Sequence, residues 1–250
     1  STIIKIFFRY LKFRYISMVN KEMRKKSLIL IIVLVIAGIA GTISLLRFAS
    51  RPVLQNLMVD FGKFDSDTNT SGDFIFLQGD DKVFLEFGAE VDDGEGGTKI
   101  LPTFEYRVDE DADVVSPCDG WITHVELQED SDDYDVWIKT NALSIYTVSI
   151  DHLTEIVVSE GQYVQAGDLL GKPGNWQGEL GRVEIDIFFF FCTHHAPFAF
   201  FDPELKEDYE DQVWQIMEDW EDFKTDEDLY DEDEMIYAGC LYETLEESEL

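Results

Sequence analysis

Positive charge is scarce through most of this 250-residue chain: residues 53–250 hold nine Lys/Arg against 51 Asp/Glu, a net of −42. Phosphate neutralisation needs the opposite sign, so nucleic acid is excluded as a partner of this region. Cysteine is scarce as well, and Cys118, Cys192 and Cys240 form no Cys-x-x-Cys pair. There are four histidines, no repeat at solenoid period and no heptad run, which argues against repeat architectures and coiled arms.

The first 52 residues are the reverse, with ten Lys/Arg and one acid, Glu22. Between the two regions runs SLILIIVLVIAGIAGTISLL, residues 27–46, without a charge. At a helical rise it spans about 30 Å, the thickness of a bilayer's hydrocarbon core. It is longer than a signal peptide's apolar region and has no polar face, so it predicts an uncleaved single-pass anchor. Basic residues 1–26 on its N-terminal side predict a cytoplasmic N-terminus lying against lipid headgroups, with the acidic part extracytoplasmic. That compartment permits a disulfide; Cys118 with Cys192 is the first expectation, leaving one thiol over.

Residues 47–75, with the polar DSDTNTSGD, are expected to form a stalk. Short alternating runs follow, among them KVFLEFG, WITHVEL, LSIYTVSI and RVEIDIF, separated by Gly, Asp and Asn turns. Residues 76–201 are therefore expected to be a mostly β, antiparallel domain. Asp202-Pro203 fits a helix start. Leu205, Tyr209, Val213, Ile216, Trp220 and Phe223 then make one apolar stripe, so residues 202–223 predict an acidic amphipathic helix. That stripe is the expected cover for the second face of the aromatic run IFFFFC, residues 187–192. The acid-rich 224–250 is expected to be unstructured on its own.

Four segments carry a resemblance. They are VVSPCDGWITHV (114–125), IDHLTEIVVSEGQYVQAGDLLGKPG (150–174), GRVEIDIF (181–188) and FAFFDPEL (198–205). In order and separation they resemble the lysostaphin-type (LytM-like) zinc metalloendopeptidases, over roughly residues 80–205. The resemblance implies an antiparallel β-sandwich or half-barrel, a barrel-sandwich hybrid. It also implies a zinc held by a His, an Asp four residues later and the second His of a closing His-x-His strand. Related half-barrels of carriers and adaptors share the glycine-punctuated pattern around Gly161 and Gly167.

The resemblance fails at the metal. Family spacing lands the first ligand on Leu101 and the second on Glu105, while Arg182 and Glu184 replace the closing pair. His152 alone keeps its family type, at the position that steadies the transition state. Leucine cannot ligate, and arginine stays protonated. Glu105 and Glu184 are hard oxygen donors, suited to Ca²⁺ or Mg²⁺ more than to catalytic zinc. Residues 182, 184 and 186 share a strand face, so Arg182 pairing with Glu184, Asp186 or Glu105 as a salt-bridged plug is the simplest expectation. A non-zinc cation on Glu105, Glu184 and His152 is the second, and a retained hydrolytic site the third. Cys192, His194 and His195 form a weaker set of soft ligands; the two histidines are expected on a surface loop, and His124 half-exposed on a strand. No cofactor is required.

The functional expectation is a membrane-anchored extracytoplasmic domain with a peptidase-like fold, catalytically inactive. It would serve as a scaffold or accessory subunit among membrane or envelope proteins. The alternatives are a cell-wall metalloendopeptidase with substituted ligands, or a half-barrel adaptor or carrier, for which Lys172 is the only nearby modifiable lysine.

Overall fold

The computed structural model describes residues 32–39, 41–42, 50–92, 94, 96–129, 131–178, 180–190, 192–246, 248 and 250. The chain divides into two units, 1–48 and 49–250. In the first, residues 32–39 are helical with exposed side chains. Among the described residues no helix is long and apolar enough to cross a membrane. The basic segment 1–26 and both ends of the apolar run lie outside the described residues.

The second unit is mostly antiparallel β, with few helices. Six strands matter most: β1 (Phe104–Asp109), β2 (Gly120–Gln128), β3 (Asp133–Lys139), β4 (Tyr146–Thr154), β5 (Leu169–Gln177) and β6 (Leu180–Phe189). They run side by side as β2, β3, β4, β6, β1, with β5 bridging one end of β4 and β6. Alternation decides which side of this sheet is core. Val136 and Ile138 of β3, Val148 and Ile150 of β4, Val183, Ile185 and Ile187 of β6, and Phe104, Tyr106 and Val108 of β1 are all buried. The intervening residues face a groove instead.

Residues 50–75 are no stalk. Leu54, Leu57 and Met58 are fully buried, and the Leu54 amide donates to the Phe200 carbonyl at 2.9 Å. The apolar residues before the polar run supply core, while the polar run itself tips a small sheet of Phe64–Asp65, Thr70–Ser71 and Phe74–Ile75. The two glycines of the resemblance, Gly161 and Gly167, have φ of 82° and 88°, a conformation that favours residues without Cβ.

The helix occupies Lys206–Lys224 rather than 202–223. Its N-cap is Leu205, without a side-chain cap, and Asp202 stands a turn earlier: its carbonyl accepts the Leu205 and Lys206 amides, and its carboxylate the Glu204 amide. Thr225, left-handed at φ 56°, ends it. The apolar stripe packs on the small sheet, with Trp220 edge-on to Phe76 at 5.1 Å and Phe223 near Phe64 and Phe76. It does not serve as the cover for the aromatic run. Phe188 instead meets Trp137, Phe189 meets Tyr146, and Phe190 remains exposed.

The acid-rich tail is also integral to the body. Tyr230, Ala238, Cys240 and Leu245 are buried, and Thr244–Glu246 pairs with Thr193–His195. A few apolar anchors outweigh the charge around them. The Tyr230 hydroxyl donates to the Phe84 carbonyl at 3.2 Å, while the Glu221 carboxylate accepts the Leu229 and Tyr230 amides. Tyr230→Phe should therefore cost about 1 kcal/mol of unfolding free energy, read by urea denaturation. No change would mean that the tail is not held there. The Cys118–Cys192 pairing is also corrected: all three thiols are free, with Cys118 and Cys240 buried and Cys192 exposed.

Candidate functional site

The groove face of the sheet follows from the same alternation. Glu105 and Arg107 of β1 stand opposite Glu184 and Arg182 of β6, while Asp151 of β4 stands opposite Glu184 on its other side. A cavity of about 810 Å³ lies over them, walled by Leu101, Pro102 and Trp176 and rimmed by Lys82 and Lys99. It shares Thr103, Asp151 and Glu184 with a second cavity of about 330 Å³, lined also by Asp135, Trp137, Asp186 and His194. A continuous polar face thus crosses the sheet.

His152 is at its centre. It is buried and held at φ 59°, a left-handed conformation uncommon for a side chain other than Asn, Asp or His. Its Nδ1 lies 2.6 Å from Asp133 Oδ2; its Nε2 lies 3.2 Å from Glu184 Oε1 and 3.8 Å from Asp151 Oδ2. Burial favours neutral imidazole. The hydrogen bond to Glu184 and the charges of Asp151 and Glu184 outweigh it, raising His152 to about 9. The ring is therefore an imidazolium that donates from both nitrogens. The Arg182 Nη2 contact to Nδ1 at 3.2 Å is then close packing rather than a donated hydrogen bond.

The two glutamates differ although they face each other. Burial pushes Glu184 up, but His152 and the Thr103 hydroxyl, donating at 2.7 Å, bring it well below the usual carboxylate range. Glu105 is raised to about 7 by burial and by the charge of Glu184, despite the Arg107 Nε hydrogen bond at 3.1 Å. Arg107 and Arg182 both stack on Trp176, at 4.6 and 5.0 Å.

These residues do not fit a catalytic zinc. Leu101 has no donor, and the guanidiniums of Arg107 and Arg182 face the groove. Asp133, Asp151 and His152 do place ligand atoms within 4.8 Å of one another, a spacing that a divalent cation could bridge. Such an ion would have to displace a proton from His152.

Alternation gave no hint of Asp133, and Trp176 carried no motif. Arg107 was findable, since it lies two residues from Glu105 on the same strand face. Cys192, His194 and His195 do not form one ligand set. The histidines sit on a strand rather than a surface loop, since pairing on both sides holds Thr193–His195 extended. His194 is buried against Asp186 at 2.9 Å, whereas His195 packs near Tyr146 and Phe200. His124 lies on β2, 2.9 Å from Glu126. In the smaller cavity burial raises Asp135 to about 6, though the Ser149 hydroxyl and Trp137 indole donate to it.

No protein-family model matches the chain, and no curated protein matches it. Several solved structures superpose on part of it. The catalytic domain of the antimicrobial peptidase lysostaphin from Staphylococcus simulans does so at 15% identity and a TM-score of 0.36, covering 42% of this chain and 77% of that one. A mutant catalytic domain of the prophage-encoded M23 protein EnpA from Enterococcus faecalis gives 16% and 0.34, with 42% and 81% covered. A zinc-containing peptidase from Vibrio cholerae gives 16% and 0.34, covering 53% of this chain and 37% of that one. This chain therefore spans little over a third of the Vibrio structure.

Proposed function

We propose that this chain is a membrane-anchored, extracytoplasmic module with a peptidase-like fold that binds without cutting. In this reading it acts as a scaffold or accessory subunit among membrane or envelope proteins. The single observation that carries the loss of hydrolysis is the side-chain set in the groove, where Leu101 has no donor and Arg182 stands within 3.2 Å of His152. A hydrolytic zinc site of the lysostaphin type supplies a Lewis acid and an activated water. Here the matching positions carry Leu101, Glu105, Arg182 and Glu184, and positive charge already sits among the carboxylates. What these residues can do is orient and grip a ligand along an open groove. The uncharged run at 27–46 and the basic residues before it support the anchoring and orientation.

The test is zinc analysis of the purified full chain in detergent, alongside a peptidoglycan-cleavage assay. The expected result is neither stoichiometric zinc nor turnover. Stoichiometric zinc accompanied by turnover would overturn the proposal.

A further inference from the structure

The larger cavity is unusual in a chain this acidic. Of the nine Lys/Arg after residue 52, four line it: Lys82, Lys99, Arg107 and Arg182. Arg107 and Arg182 are direct cross-strand partners. Like charges placed opposite one another destabilise a sheet unless something lies between or beside them. The Arg107 Nε is bonded to Glu105. The Arg182 Nε, by contrast, is buried and makes no hydrogen bond among the described residues; Glu184 is at 4.0 Å, beyond hydrogen-bond reach. That nitrogen is closed to solvent, so what Arg182 offers the groove is the rest of its guanidinium, the side chain being 23% exposed. Both side chains are held against Trp176, so the guanidinium planes are fixed before any ligand arrives.

From this juxtaposition we infer that the groove binds the terminal carboxylate of an extended ligand, clamped by Arg182 and Arg107, with the adjoining chain along Leu101, Pro102 and Trp176. A carboxylate fits better than a phosphate for two reasons. Its planar pair of oxygens matches the guanidinium fork. Its single charge is also less strongly repelled by Asp81, Asp92, Glu105, Asp151 and Glu184, the five carboxyl side chains that line the same cavity. Glu105, opposite Glu184 and bonded to Arg107, can donate a proton toward a carboxylate oxygen when it is itself protonated. The cavity is within the size range of small-ligand sites, and its wall is apolar where a ligand's stem would lie.

The inference rests on the non-hydrolytic reading, and the two fail differently. Isothermal titration of the full chain with N-acetyl-trialanine as the free acid should show binding. The C-terminal amide of the same peptide should bind about tenfold more weakly or worse, because it lacks the charge that the guanidiniums pair with. Acetate should also bind more weakly than the peptide acid, which separates an extended ligand from a free small acid. Arg182→Gln should bring the acid down to the level of the amide, and Arg182→Lys, which keeps the charge but loses the fork, should fall between. Equal affinity for acid and amide, equal affinity for acetate and the peptide acid, or no binding by any probe overturns the inference. The wild-type comparison decides this even if a variant does not fold. Cleavage of the probe, seen as fragments by mass spectrometry, would instead sink the non-hydrolytic reading.

Discussion

Replacing His152 with asparagine should lower the unfolding free energy by about 3–5 kcal/mol, the size expected when one partner of a buried ion pair is removed. Asparagine is the informative substitution because it tolerates the left-handed backbone at φ 59°, so the loss reports charge rather than strain. The variant would leave Asp133 and Glu184 buried without the cation between them. Asp151, also part-buried there, would add to the repulsion. Urea titration should show a lower midpoint at an unchanged slope. A loss under about 1 kcal/mol would mean that the carboxylates were already balanced by the two arginines, as for a surface pair.

The wild-type protein should be most stable in mild acid and lose stability steadily toward pH 9. His152 is raised from 6.5 to about 9 in the folded chain. Its contribution is fully present below its ordinary value and disappears as pH climbs through about 9. The amount at stake is on the order of 3 kcal/mol, from the pKa difference by linkage. Glu105, raised from 4.5 to about 7, has the same sign: its protonated form belongs to the folded state, so stability drains away as it ionises. Glu184 works the other way: its contribution is present above about 4.5 and is lost as pH falls from there toward about 2. The maximum should therefore fall near pH 4.5, with the decline already under way between 4.5 and 7 as Glu105 ionises. Denaturation at constant ionic strength from pH 4 to 9.5 checks this. In His152→Asn the decline between 6.5 and 9 should flatten, while the part owed to Glu105 stays. A wild-type profile level from 6.5 to 9 would remove the imidazolium from the account.

Local pattern reached some of this architecture and not the rest, for identifiable reasons. Period-two alternation in RVEIDIF is enough to place Arg182, Glu184 and Asp186 on one face and Val183, Ile185 and Ile187 on the other. It cannot say which strand stands opposite, so Glu105 beside Glu184 and Arg182 beside Arg107 depended on register. Asp133 reaches His152 only because β3 and β4 pair with an irregularity between Tyr134 and Val136, which no spacing rule foresees. Composition misled most at the two ends of the folded body. Leu54 and Leu57 lie next to a polar run, and Tyr230 and Leu245 are scattered among acids, yet each is buried. Average charge describes a segment's surface, whereas a single well-placed apolar side chain can decide where the segment goes. His194 shows the same limit, since its burial depends on Asp186 and on a neighbouring strand from the tail.

The contacts that complete this body are remote along the chain. Leu54 bonds to Phe200, Phe87 bridges to Cys240, and Thr193–His195 waits for Thr244–Glu246. Closure of such distant partners is slow, because most of the loop entropy is lost before any of them is rewarded. Meanwhile Thr193–His195, paired on one side with the phenylalanine-bearing end of β6, keeps its other edge open, an invitation to associate with other unfinished copies. During synthesis, then, the vulnerable interval begins as the aromatics at 188–191 emerge and lasts until the acidic segment behind them arrives.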